Sequence, residues 1–401
     1  MSDAARPEIG RPFRRPSRLA DMPGISVDRM GDAADALADP ALLRLENLDT
    51  DLRPYGPALA ATRSAVDADA ANSYLPFLGQ DRLRRAVATH VSRLSGVDYD
   101  WRSDCVISAG GLSGILNVLL ATIEPGDEVI LTDPIYAGLL NRVRLAGGVP
   151  RLVPLVPGRE GWRLDLDTFR SAAAAPGVRA VLMMSPSMPT GAVLTAAEWH
   201  AVAAACRERN LLLIYDAAME RILFDGRRLV HPAGLPGMAE RTITIGSASK
   251  ELRMIGWRVG WIVGPSALIA DVGLVGMANV VCQVGIAMDA VATALEAPED
   301  DVRKAVAEWQ RRRDVILGEL DGVAPAIPPH GGWSLLIDCR ALGLDGEQAS
   351  RLLLERGGIA ATAMANWGGP AAARYLRFVF ANEPCERLSG LGERVKRALN
   401  G

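Results

Sequence analysis

From residue 104 to residue 247 the chain repeats one theme: a short apolar run, a turn, a helix-patterned stretch, then another apolar run. DCVIS, DEVILTD, VPRLVPL, RAVLMM, LLLIYD and RTITIG are the apolar runs, and GLSGILNVLLATI, AGLLNRVRLAG and TAAEWHAVAAACRERN are helical stretches between them. Strands that alternate with helices pair in parallel and are covered on both faces. The expected fold is therefore α/β, with a mostly parallel central sheet flanked by helices and ligands gathered at the carboxyl ends of the strands.

Two of those ends carry charge. LLLIYD closes on Asp216, and a carboxylate ending an apolar strand is costly without a cationic partner. RTITIG runs through small residues to Lys250, one of only three lysines; Lys304 and Lys396 sit in charged runs that read as solvated helix faces. Burial lowers a lysine's pKa, and small neighbours leave room for a carbonyl cofactor to form an imine. A structural lysine that snorkels its amine to water is the alternative. A third feature is the turn SAGGLSG before the helical run ILNVLLATI. Its glycines let backbone N–H groups approach an anion at a helix N-terminus. The run is GGxxG; it is not the dinucleotide pattern GxGxxG.

Composition excludes other classes. With 44 basic and 47 acidic residues the net charge is −3, which provides no electrostatic footprint for nucleic acid. Five widely spaced cysteines without a CxxC pair, and four scattered histidines, suggest neither a disulfide framework nor a metal site. No apolar run approaches membrane-spanning length, and the Arg- and Pro-rich first 25 residues lack the apolar core of a signal peptide. A cytoplasmic location is expected.

Ser247, Lys250 and Arg258 have the spacing of the class I/II aminotransferases, the fold-type I enzymes that use pyridoxal phosphate (PLP), and the chain resembles them from about residue 45 to residue 400. The resemblance implies that Lys250 carries the internal aldimine and that Ser247 and Arg258 grip the phosphate. Asp216, 34 residues before Lys250, would pair with the pyridine nitrogen. Gly110, Gly111 and Leu112 would form the phosphate loop, Leu112 contributing main chain only, with Ser113 beside it. Tyr136 would stack on the ring. Tyr74, in the pattern Tyr-x-x-x-x-Gly ahead of a helix, would reach the cofactor of a partner subunit, which implies a homodimer. Arg377, in YLRFVF, would clamp the substrate carboxylate. Trp333 would wall the substrate pocket with the nearby loop of Met364, Asn366 and Trp367. Asn47 and Asp51 are candidate pocket contacts, and Arg253 and Asn279 could reach in from either subunit. Without the resemblance, Tyr74, Tyr136 and Arg377 also read as ordinary structural side chains.

Two positions depart from the family. SPSMPTG stands in place of SPNNPTG, and Met188 replaces the asparagine that bonds the cofactor's phenolic oxygen. Met219 replaces the tyrosine that supplies the other such bond. A thioether donates no hydrogen bond. The expected consequence is a raised internal aldimine pKa; two methionines filling apolar volume is the plainer reading. Residues 45–295 are expected to form a large PLP-binding domain. Residues 1–44 and 296–401 would give an N-terminal arm and a small C-terminal α+β domain. The resemblance implies an aminotransferase that moves the amino group of an α-amino acid to a 2-oxo acid. The methionine pair keeps open a PLP-dependent elimination, replacement or cyclisation on an amino acid in specialised metabolism. A ligand-sensing regulator on the same fold would need a DNA-binding domain ahead of it, and none is legible.

Overall fold

The structure, a computed structural model, describes residues 13–19, 22, 24 and 26–399. Residues 1–12, 20, 21, 23 and 25 of the expected N-terminal arm lie outside the described residues. In chain order the strands are β1 (Leu43–Arg44), β2 (Cys105–Ser108), β3 (Glu128–Asp133), β4 (Val149–Gly158), β5 (Gly161–Leu164), β6 (Val178–Met184) and β7 (Leu212–Asp216). They continue as β8 (Thr242–Ser247), β9 (Gly260–Val263), β10 (Ala326–Ile327), β11 (Ser334–Asp338), β12 (Ile359–Ala360), β13 (Thr362–Ala363) and β14 (Tyr375–Val379).

The main sheet has the order β2-β9-β8-β7-β6-β3-β4-β5. Its centre, from β8 through β7, β6 and β3 to β4, is parallel, while β9 runs against both its neighbours and β5 against β4. The alternation in RTITIG would suit a strand with one wet face. The structure instead buries all six residues of β8, because helices cover both sides. On one side Val118, Leu119, Leu139, Leu140 and Ile269 pack against Ile130's neighbours Val129 and Leu131 and against Ile243 and Ile245. On the other, Trp199, Val202 and Phe169 pack against Val181, Met183 and Tyr215. Local signals set the helix starts: Thr195 and Glu198 form a reciprocal capping box on helix Ala196–Arg209.

The apolar stretch 260–295 folds into three elements: β9, helix Ser266–Asn279 and helix Gly285–Leu295. The long helix Glu299–Leu320 follows and leads to a second sheet of order β10-β11-β14-β13. We propose the domain division read from the sequence, at residues 45 and 296. In its support, β1 pairs in parallel with β12, and Ala34 of helix Ser26–Leu37 packs with Leu42 and Ala360. Arg312 and Arg313 of the long helix tie the parts together: Arg312 pairs with Asp51 at 2.7 Å and Arg313 with Asp225 at 2.7 Å. No helix among the described residues is long and apolar enough to cross a membrane.

Candidate active site

The carboxyl ends of β7 and β8, the N-terminus of helix Gly111–Thr122 and the middle of β14 carry the sequence candidates. Gly110 caps that helix with φ 82°, a left-handed value that glycine adopts without strain. A Cβ there would lie 2.6 Å from Nη2 of Arg258, so the guanidinium rests directly on the glycine. Arg258 itself has φ 54°, an uncommon conformation for a side-chain-bearing residue. Its Nη1 donates to the Ile255 carbonyl at 2.9 Å and to Ser249 Oγ at 3.1 Å. Among the described residues no carboxylate pairs with it. Ser247 lies against Gly111. The first-turn N–H groups of Gly111, Leu112 and Ser113 have no partner within their own helix. Two charge types are thus aimed at one small volume, a helix N-terminus and an unpaired guanidinium, and both favour an anion.

Asp216 is buried at the end of β7 and accepts the Ala218 N–H at 3.1 Å. Burial pushes its pKa up to about 6, against the Ala218 bond and the nearby Arg142 guanidinium, which both favour the carboxylate. A carboxyl group that holds its proton more tightly folded than unfolded contributes stability below about pH 3.8, and that stability is lost as pH rises through about 6. The chain without ligand is thus expected to be more stable at neutral pH as Asp216→Asn, by up to about 3 kcal/mol. Urea unfolding at pH 7.5 and pH 3.5 checks this, since the gain should vanish at the lower pH.

Lys250 follows β8 with its amine enclosed. Nζ donates to the Leu48 carbonyl at 2.9 Å and lies 4.7 Å from the centre of the Trp333 ring. Burial pushes its pKa down to about 7; Asp49 opposes the shift, and Arg377 and Arg258 add to it. The amine is therefore substantially neutral at physiological pH, the form that can act as nucleophile or base.

Arg377, on β14, is fully buried and has no carboxylate partner among the described residues. Nη2 donates to the Glu46 carbonyl at 2.5 Å and to Thr362 Oγ1 at 3.3 Å, and Nε has no partner. The guanidinium lies 4.7 Å from the Trp367 ring centre. Burial lowers its pKa to about 10. Trp367 is held there by Asp133: the Gly369 N–H donates to Asp133 Oδ1 at 3.1 Å, and the Ile135 N–H donates to the Trp367 carbonyl at 2.9 Å. The same loop sets Tyr136 against Trp367, with ring centres 5.4 Å apart. Tyr136 also lies over Gly138, where a Cβ would meet its ring at 2.4 Å.

Other candidates fall out differently. Met188 and Met219 are buried in one apolar cluster with Trp333, and a Cβ on Gly332 would lie 3.6 Å from Cε of Met219. Asn47 is exposed, but the carbonyls on either side of it, Glu46 and Leu48, receive Arg377 and Lys250. Asp51 is engaged by Arg312, Arg253 by Asp301 and the Arg53 carbonyl, and Asn279 donates to Asn117. These three are tied into the scaffold. Tyr74 is 82% exposed in this chain, with Phe77 beside it in the same loop.

Arg142 was not legible from sequence. Its Nε donates to the Leu112 carbonyl at 2.7 Å and its Nη1 to Gly138 at 2.8 Å, so it fixes the turn that presents the first N–H groups of helix Gly111–Thr122. Only the spacing of Gly138 and Arg142 on one helix face offered a hint.

Residues 47–394 match the family described as aminotransferase class I and II, and the chain belongs to that family. It is 36% identical over 353 residues to the probable N-succinyldiaminopimelate aminotransferase DapC of Mycobacterium tuberculosis, covering 84% of this chain and 87% of that protein. It is 34% identical over 360 residues to the arginine–pyruvate transaminase AruH of Pseudomonas aeruginosa, covering 87% and 89%. Among solved structures, the N-succinyldiaminopimelate aminotransferase of M. tuberculosis superposes with a TM-score of 0.90 at 33% identity, covering 96% of this chain and 100% of that one. The Thermus thermophilus aspartate aminotransferase with maleate gives 0.88 at 28% identity, covering 96% and 100%. The chain is an aminotransferase, of a family that works with PLP on amino and 2-oxo acids. Each of these relatives is an aminotransferase, which favours amino transfer over elimination, replacement or cyclisation.

Proposed function

We propose that this chain binds PLP through Lys250 and uses it to move the amino group of an α-amino acid to a 2-oxo acid. One observation carries the reading: two arginines without carboxylate partners among the described residues, Arg258 and Arg377, both lie near enough to Lys250 to help drive off its proton. Such an arrangement leaves two guanidinium groups free to bind anions close to a near-neutral amine. The cradle at Gly110, closed by Arg258 and lined by Ser247, suits a phosphate in charge and hydrogen-bond donors.

Ser247, Arg258 and the N–H groups of Gly111, Leu112 and Ser113 would hold the phosphate. Asp216 would face the ring nitrogen and Tyr136 the ring. When bound, PLP supplies a protonated pyridine ring that accepts the electron pair left at the substrate's Cα. Arg377 orients the substrate's carboxylate with the planar fork of its guanidinium. Freed Lys250 takes the Cα proton at Nζ and hands it on as an ammonium. The buried, apolar Met188 and Met219 favour a substrate with an apolar side chain. Arg253, tied to Asp301, is not available for a second carboxylate. The exposed Tyr74 and Phe77 support a homodimer in which Tyr74 reaches the partner's site.

Absorbance of the purified chain with PLP, then with single amino acids, tests the proposal. The visible band of bound cofactor should give way to an ultraviolet band and return when a 2-oxo acid is added. Ammonia release without that interconversion would refute it. The two methionines give a second expectation. With no hydrogen-bond donor from either position to the phenolic oxygen, the pH midpoint of the bound cofactor's colour change lies above neutrality, and Met219→Tyr moves it down. A midpoint below neutrality in the wild type would contradict this.

A further inference from the structure

The Lys250 amine has two neighbours that suit a cation. The Leu48 carbonyl accepts from Nζ at 2.9 Å, and the Trp333 ring presents a centre 4.7 Å from Nζ. The face of an indole carries negative electrostatic potential and attracts an ammonium more strongly than the face of a benzene ring does. Trp333 is 1% exposed, so little water competes with it. It cannot easily turn away. Trp309 packs against it at 5.1 Å between ring centres, and Trp309 is itself pinned by Nε1 donating to Thr50 Oγ1 at 3.2 Å. The Phe380 N–H donates to the Trp333 carbonyl at 3.0 Å. On the basis of its apolar character Trp333 reads as a wall for the substrate side chain, but its ring is committed to the lysine.

We infer that Trp333 is a positioning residue for Lys250: its indole face and the Leu48 carbonyl together form the seat in which Nζ rests as an ammonium. This rests on the reading of Lys250 as the residue that bonds PLP and moves the proton. That role needs both protonation states. The neutral amine must exist to take the proton from the substrate's Cα, and the resulting ammonium must be held until the proton is given up. Burial alone serves the first requirement and opposes the second. The other charged groups acting on Nζ are Asp49, from the segment after β1, Arg377 on β14 and Arg258 after β8. The two arginines together work against the ammonium. The aromatic face offsets them without placing a further carboxylate beside Nζ, where it would repel the substrate's own.

The 401-residue chain has three lysines, Lys250, Lys304 and Lys396. Reductive ¹³C-methylation before PLP is added therefore gives few signals, and Lys250→Ala assigns the one of interest. Its titration is followed by NMR in the wild type, Trp333→Phe and Trp333→Leu. The expected result is a graded one: the Lys250 midpoint falls by about one pH unit with leucine and by a fraction of that with phenylalanine. In unmethylated enzyme, kcat should fall roughly 10-fold with leucine, with most of it restored by phenylalanine and with KM for the amino acid little changed. Equal midpoints in all three chains, or phenylalanine and leucine behaving alike, would make the ring a space-filler and overturn the proposal. The phenylalanine variant keeps most of the volume, so the test survives if the leucine variant does not fold. Adding PLP to the wild type separates the two levels. If no visible band forms, the reading of Lys250 falls and the seat with it. If a band forms and the midpoint does not follow the ring, the seat alone falls.

Discussion

Replacing Lys250 with alanine is expected to cut kcat/KM for amino transfer by ~10³-fold or more, because on the proposed reading one side chain supplies both the covalent hold on the cofactor and the proton carrier. The fold should not suffer, since the amine's contacts are one carbonyl and one ring face, and removing a buried amine relieves its desolvation. The chain should still bind PLP through the Gly110 cradle and Arg258. Borohydride reduction should then fix no cofactor to the protein, whereas in the wild type it marks Lys250 in a peptide digest. An alanine variant with wild-type turnover, or with cofactor still fixed by borohydride, would remove Lys250 from the mechanism.

The second large effect is expected at Arg377. Truncating one partner of a buried charged pair typically costs 2–5 kcal/mol, so Arg377→Leu should lower kcat/KM for an amino acid by roughly 10²–10³-fold. The loss should disappear when the amino donor is an amine without an α-carboxylate, and cofactor affinity should be unchanged. Arg377→Lys should restore only part of the activity, because an ammonium cannot reproduce a planar two-pronged contact. Burial already pushes the guanidinium down to about 10, which means the ligand-free fold carries an uncompensated cost there. The leucine chain should therefore unfold at no lower a urea concentration than the wild type. Equal losses for amino acid and amine would show that Arg377 serves the scaffold, not the carboxylate.

Much of this was present in local sequence. Alternation of apolar runs and helical stretches specified a parallel sheet because a strand covered on both faces must be apolar throughout. Asp216 and Lys250 stood out because charge at the end of such a strand has to be answered by something. The glycines at 110 and 111 were legible because a turn without side chains ahead of a helix lets backbone N–H groups approach an anion, and the structure packs Arg258 on Gly110 and Ser247 on Gly111. The methionine substitutions were legible as chemistry, since a lost donor needs no coordinates to be noticed.

What surrounds those residues was not legible. The acceptor of Lys250 is a backbone carbonyl 202 positions away, and that of Arg377 one 331 positions away. A carbonyl carries no residue signature, so sequence could only point to Asn47 between them, whose own side chain is exposed. Asp51, Arg253 and Asn279 looked available as pocket residues until long-range partners were found for each. Trp333 read as an apolar wall because hydrophobicity says that a ring is buried, not which way its face is turned. Side-chain type and strand periodicity are local properties, and they determined the fold class and pointed to the groups proposed to react. The pairing of each buried charge is set by chain closure over hundreds of residues. Only the tertiary structure could decide which arginines were already satisfied and which were left for a ligand.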